Sequence, residues 1–108
     1  METKLTLVAY INILPGFEKE VKEATAILAT ETSKEPGSEQ FLPYTRNDSP
    51  QSIFFYEIYK NDEAFQWHKT LPHATKFFEF VKGKIVDDKI EVVFLTPLNS
   101  SIQIGHVV

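Results

Sequence analysis

Apolar residues in this chain recur at two spacings, every second residue or every third and fourth, and the order in which these alternate is the strongest constraint on its fold. From Leu5 to Leu14 the residues alternate, with Leu5, Leu7, Ala9, Ile11 and Ile13 on one side, as in a strand. Pro15-Gly16 stops that pattern, and Phe17 to Lys34 takes up helical spacing with a stripe of Phe17, Val21, Ala24, Ile27/Leu28 and Glu31/Thr32. Glu35-Pro36-Gly37-Ser38 is a turn, because proline disfavours helix at the residue before it and glycine reaches backbone angles closed to other residues. Strand patterns follow over Glu39 to Arg46 and Ser52 to Lys60, joined by the turn cluster Asn47-Asp48-Ser49-Pro50. Pro43 removes a ladder donor and so predicts an edge strand or a bulge, whereas Ile53-Phe54-Phe55-Tyr56 predicts a central one.

Asn61 or Asp62 then caps a helix whose inward stripe is Ala64, Phe65, His68 and Leu71; Pro72 ends it. A second helical piece runs from His73 through Ala74, Phe77, Phe78 and Val81 to Gly83, and Lys89 to Thr96 gives a last strand before Pro97. The order strand, helix, strand, strand, helix, strand predicts an α+β, ferredoxin-like βαββαβ domain. Its four-stranded antiparallel sheet carries the helices on one face. All 108 residues form one domain on this reading, with a core over about residues 5–97 and a tail over 98–108 that could add an edge strand or clasp a partner. The central strands are apolar on both sides, so the uncovered sheet face predicts a homodimer across a two-fold axis. Nine Phe, four Tyr and one Trp is more aromatic surface than one small domain buries alone, which points to the same partner or to a ligand.

Charge narrows the partners. Eleven basic against fifteen acidic residues, a formal charge of -4, argues against nucleic acid and anionic membrane surfaces, since both need a Lys/Arg excess. Without cysteine there are no disulfides, thiol nucleophiles or zinc-finger spacings. No signal-like leader and no run approaching about 18 apolar residues is present, so a cytoplasmic protein is expected.

The densest chemistry lies between Tyr56 and His73. Glu57 and Tyr59 are two apart on a strand and therefore face the same way. A carboxylate inside an apolar strand needs a partner, since uncompensated polar burial costs roughly 2–7 kcal/mol. His68, on the inward stripe of the following helix, is the nearest candidate. The pair reads either as an acid/base couple, with Glu57 orienting an imidazole that moves a proton near neutral pH, or as two groups that merely satisfy each other. His73 follows the break at Pro72, where two helical pieces meet and a cleft mouth is expected. His68 and His73 lie about 140° apart on an unbroken helix and do not converge as metal ligands there, so no metal is expected. Trp67 and Phe77 read as pocket or core aromatics, Tyr10 and Tyr44 as strand residues that reach a pocket, and His106 as solvated. Nucleotide-binding glycine loops and the nucleophile-elbow motif are absent from the sequence.

Pro15-Gly16 after the first strand, Glu35-Pro36-Gly37-Ser38, Tyr56-Glu57-Ile58-Tyr59, and Ala64 through His68 to Pro72-His73 together resemble the antibiotic biosynthesis monooxygenase family of dimeric α/β barrels, over roughly Leu5 to Pro97. The closest likeness is to the branch holding quinol monooxygenases and the phospho-autoinducer-2 isomerase. The resemblance implies a homodimer with one pocket per subunit, and oxidation of a small quinol or aromatic enol by O₂ with no cofactor. It implies His68 as proton acceptor, Glu57 orienting it, and His73 with Tyr59 on the substrate; Tyr10, Tyr44, Trp67 and Phe77 complete the expected substrate contacts. The isomerase alternative needs a cation for phosphate, Lys60 or Lys69, and a non-catalytic ligand-binding or dimerisation domain is the third reading. Haem degradation is disfavoured, because the asparagine position of that branch falls on Ala9. The aromatic that follows the second histidine in the family is replaced by Ala74.

Overall fold

The computed structural model describes residues 3–98. Its elements run β1 (Leu5–Asn12), α1 (Glu18–Thr32), β2 (Ser38–Arg46), β3 (Ser49–Tyr59), α2 (Asp62–His68), α3 (Pro72–Val81), a 3₁₀ turn (Val86–Asp88) and β4 (Glu91–Leu95). All pairings are antiparallel in the order β2-β3-β1-β4, the ferredoxin-like sheet. The very apolar β3 is interior, and Pro43 lies on the edge strand β2 where its missing donor leaves no inner ladder broken. The tail expectation for residues 99–108, His106 included, lies outside the described residues.

Register sets which side chains meet the helices. One row across the sheet reads Phe41, Glu57, Leu7, Phe94 and the next reads Pro43, Phe55, Ala9, Val92; both face the helical layer. The intervening row of Leu42, Tyr56, Val8 and Val93 faces away. The core lies between sheet and helices, built on Leu7, Ile11, Val21, Leu28, Phe41, Phe55, Tyr59, Phe65, Phe77 and Val81.

In α1 the buried stripe is Val21, Thr25, Leu28 and Thr32. Of the expected alternatives Ile27 and Leu28, Leu28 is buried and Ile27 stands 65% exposed, because third- and fourth-residue spacing from Val21 admits either 24 and 27 or 25 and 28, and only packing against the sheet chooses. Asn61 caps α2, its side chain accepting the Ala64 N–H at 2.8 Å. Between α2 and α3 the chain breaks: Thr70 N–H bonds the Trp67 carbonyl, Leu71 N–H bonds the His68 carbonyl, and Pro72 starts the new helix where its missing N–H has no partner to lose. No described helix is long and apolar enough to cross a membrane.

Candidate active site

Glu35 organises the site. It is held at the end of α1 by its N–H on the Thr32 carbonyl, while its own carbonyl accepts from Ser38 N–H. Gly37 in the same turn accepts the Lys60 N–H at 2.9 Å, pinning the turn to the junction of β3 and α2. Glycine is required there by space: a Cβ on Gly37 would stand 2.5 Å from the Ala64 Cβ. This close approach sets the turn, and with it the Glu35 carboxylate, beneath both helical pieces.

There Glu35 Oε2 accepts from His68 Nδ1 at 2.7 Å and from His73 Nε2 at 2.5 Å. An ionised carboxylate has no proton to give, so in that state both rings point N–H groups at it. The carboxylate and the His68 side chain are almost fully buried, and His73 is 18% exposed. Five residues would separate the two imidazoles on a continuous helix; the break before Pro72 turns them toward one oxygen.

Glu57 does not pair with His68. Its Oε1 accepts the Tyr59 hydroxyl at 2.7 Å, both residues standing on the helix-facing side of β3 as parity requires. The expected Glu57–His68 pairing is corrected because the turn after α1 delivers a different carboxylate to Nδ1. Burial pushes the Glu57 carboxyl up to about 7, opposed by the Tyr59 hydrogen bond and reinforced by the charge of Glu35. Burial first, and then the neighbouring Glu57 charge, holds the Tyr59 phenol protonated well above its ordinary range.

His68 and Glu57 still share a chamber, a cavity of about 90 Å³ walled by Leu7, Phe41, Phe55, Phe65, Phe77 and other apolar groups. Lys69 stands at its margin with Nζ 4.8 Å from the Phe65 ring centre. With Nδ1 committed to Glu35, Nε2 is the His68 nitrogen left for this chamber. A second, wider groove of about 680 Å³ runs outside between α1 and α3, lined by His73, Phe77, Ile27, Phe80, Glu31 and Lys76 among others. Phe77 belongs to both and forms the wall between them.

The other expected contacts are dispersed. Tyr59 is fully buried and lines neither space, with its ring centre 5.4 Å from that of His68. Tyr10 packs edge-on against Phe54 at 4.3 Å on the opposite sheet face, because residues one apart on β1 point to opposite sides. Tyr44 is 59% exposed on the edge strand and Trp67 is 49% exposed on the outer side of α2. Lys60 shares a separate surface hollow with Trp67 and Asn61. Sequence reasoning missed Glu35 as a site residue. The acid directly before a Pro-Gly turn was the available signal, but reading it required knowing that the turn folds back on α2.

Glu35, His68 and His73 bring three ligand-type atoms within 4.8 Å of one another. The oxygen-to-nitrogen separations of 2.7 and 2.5 Å are those of direct hydrogen bonds. A tetrahedral ion with bonds of about 2.1 Å would hold its ligands roughly 3.4 Å apart. As arranged, the three side chains therefore form a hydrogen-bonded triad.

The model of the family described as antibiotic biosynthesis monooxygenase matches residues 4–79, from β1 through most of α3. The chain belongs to this family. Comparison with curated proteins finds no match. Among solved structures, a candidate antibiotic biosynthesis monooxygenase of Nitrosomonas europaea superposes with a TM-score of 0.84 at 21% identity, covering 91% of this chain and 93% of that one. The protein PA3566 of Pseudomonas aeruginosa gives 0.85 at 21% identity over 92% and 98% of the two chains. Rv0793 of Mycobacterium tuberculosis gives 0.83 at 20% identity over 90% and 97%. These likenesses establish the shared ferredoxin-like α+β fold.

Proposed function

We propose that the protein is a cofactor-independent monooxygenase that oxidises a small quinol or aromatic enol with O₂, with His68 as the base. The observation that carries this reading is the placement of His68, with Nδ1 on a buried carboxylate and its other nitrogen left for an apolar chamber. The Glu35 carboxylate fixes the tautomer by holding Nδ1–H, which leaves Nε2 as the acceptor, so Glu35 has the orienting role that the sequence assigns to Glu57. Apolar walls leave the substrate anion poorly hydrated and electron-rich beside O₂.

For a 1,4-quinol the balance is C₆H₆O₂ + O₂ → C₆H₄O₃ + H₂O. His68 takes the phenolic proton, the ring supplies electrons to O₂, and a carbon–oxygen bond forms to give a ring hydroperoxide. The proton held by His68 completes the hydroperoxide. The O–O bond then breaks and the distal oxygen leaves as water with a proton that Glu57 is suited to supply because it is mostly protonated below about pH 7, and the peroxide-bearing carbon loses its hydrogen as a proton that restores Glu57. The chamber of about 90 Å³ is smaller than the roughly 150 Å³ that admits benzene, so it takes one edge of a quinol ring and does not enclose the whole molecule.

A homodimer is part of this proposal: Leu42, Tyr44, Val93 and Leu95, all at least 37% exposed, leave the far sheet face apolar. The reading is tested by oxygen uptake with benzene-1,4-diol in metal-stripped protein under oxygen-18 gas. Label should enter the hydroxyquinone, and His68→Ala should reduce turnover by about a hundredfold while the far-ultraviolet spectrum is kept. Unlabelled product, or a His68→Ala rate equal to that of the parent, overturns it.

A further inference from the structure

The base proposed above sits where water cannot easily collect its proton. His68 is 4% exposed, and its chamber is walled almost entirely by carbon. A polar route leaves it from His68 Nδ1 to Glu35 Oε2 at 2.7 Å, and on to His73 Nε2 at 2.5 Å. With Nε2 engaged, Nδ1 is the His73 nitrogen left for the outer groove that its ring lines. The two spaces are separated by Phe77, and the triad bypasses that wall.

We infer that Glu35 and His73 form a proton relay that connects the buried base His68 to the groove between α1 and α3, with His73 as its solvent-side port. This rests on His68 being the base. In the transferring state Oε2 carries a proton directed at His73 Nε2 and accepts the His68 Nδ1–H. A proton arriving at His68 Nε2 moves the Nδ1 proton onto Oε2, the Oε2 proton onto His73 Nε2, and the His73 Nδ1 proton into the groove. One proton enters and one leaves, so no net charge accumulates in the low-dielectric interior, where an unpaired ion is most costly. The reverse transfer brings a proton from the groove back to His68 Nε2 for the hydroperoxide, returns each imidazole to its first tautomer and leaves no net proton exported over a turnover. His73 is thus a positioning and relay residue on the far side of the wall and does not touch substrate.

Charged and titratable neighbours face the triad from each packed element. Glu57 and the Tyr59 phenol lie on the β3 side of His68, and Lys69 borders the chamber. Glu31 of α1 and Lys76 of α3 flank His73 in the groove. Glu31 is bonded to Lys34 at 2.9 Å and also feels the charge of His73.

His73→Gln separates the relay from a purely structural role, because an amide N–H can still donate to Glu35 but cannot pass a proton on. With benzene-1,4-diol and O₂, His73→Gln should lower kcat by at least about tenfold with KM unchanged, and added imidazole should restore the rate in a concentration-dependent way. A loss that imidazole does not restore, or no loss, overturns the relay. Proton spectra of the full chain at one pH give a readout independent of substrate: through the relay the His68 Nδ1 proton exchanges with water, and His73→Gln should slow that exchange at least about tenfold. A His68 Nδ1 exchange rate that His73→Gln leaves unchanged overturns the relay. If the parent protein does not oxidise the diol at all, the monooxygenase reading fails, and the spectra alone decide the coupling.

Discussion

Replacing Glu57 by glutamine should make the protein more stable at neutral pH and leave it unchanged in acid. The carboxyl is 5% exposed in a row of Phe41, Leu7 and Phe94, and burial moves it from the ordinary 4.5 to about 7. Between these values the unfolded chain has released the proton and the folded chain retains it. The folded state then binds more protons, so stability falls as pH rises through this window and levels off above about 7. At about 1.4 kcal/mol per pH unit, the penalty at pH 8 is about 3 kcal/mol. Glutamine carries no charge to desolvate, and its side-chain oxygen still accepts the Tyr59 hydroxyl. Urea unfolding of both proteins at about pH 4 and pH 8 measures the difference, in which every other titrating group cancels. With a slope of about 1.5 kcal/mol per molar, the midpoints should coincide in acid and separate by about 2 M at the higher pH, the Glu57→Gln protein being the more resistant. Parallel pH profiles for the two proteins would refute the placement of Glu57 as a buried acid whose charge is opposed by its surroundings.

Two further substitutions probe how the site is held. Gly37→Ala should destabilise the fold by about 1–3 kcal/mol in urea and depress diol oxidation, because the new methyl meets Ala64 and displaces the turn bearing Glu35; an unchanged midpoint would show that the turn is not clamped. Asn61→Ala should cost about 1 kcal/mol and speed hydrogen exchange at the Ala64 amide, with Asn61→Asp preserving both, and equal exchange in all three proteins would remove the cap from the account of α2.

Much of the fold is legible in the sequence because it rests on local periodicity. The period-two run through Ile53 and Phe55 and the Pro43 interruption separate the interior strand from the edge one, and Pro72 marks the helix break. Where two spacings fit equally, local pattern cannot choose. Ile27 fits an inward position by spacing and is exposed, since only the sheet beneath α1 selects Thr25 and Leu28 instead. Within the site, His68 and Glu57 stand out because each is a polar group on an apolar stripe, and burial of such a group demands compensation. Pairing them with each other fails for the same reason: the demand identifies a group in need of a partner without naming the partner.

Local pattern along the chain is enough to set the elements, the faces they bury and the presence of two polar groups in the core. Tertiary structure decided who meets whom. Glu35 is 33 residues from His68 and 38 from His73, and no spacing rule reaches across such an interval. The contact exists because a glycine lets the turn after α1 approach α2 closely, and because a proline divides one helix into two that face a common oxygen. Hydrogen bonds form over about 3 Å, so their partners are fixed by where packed elements end.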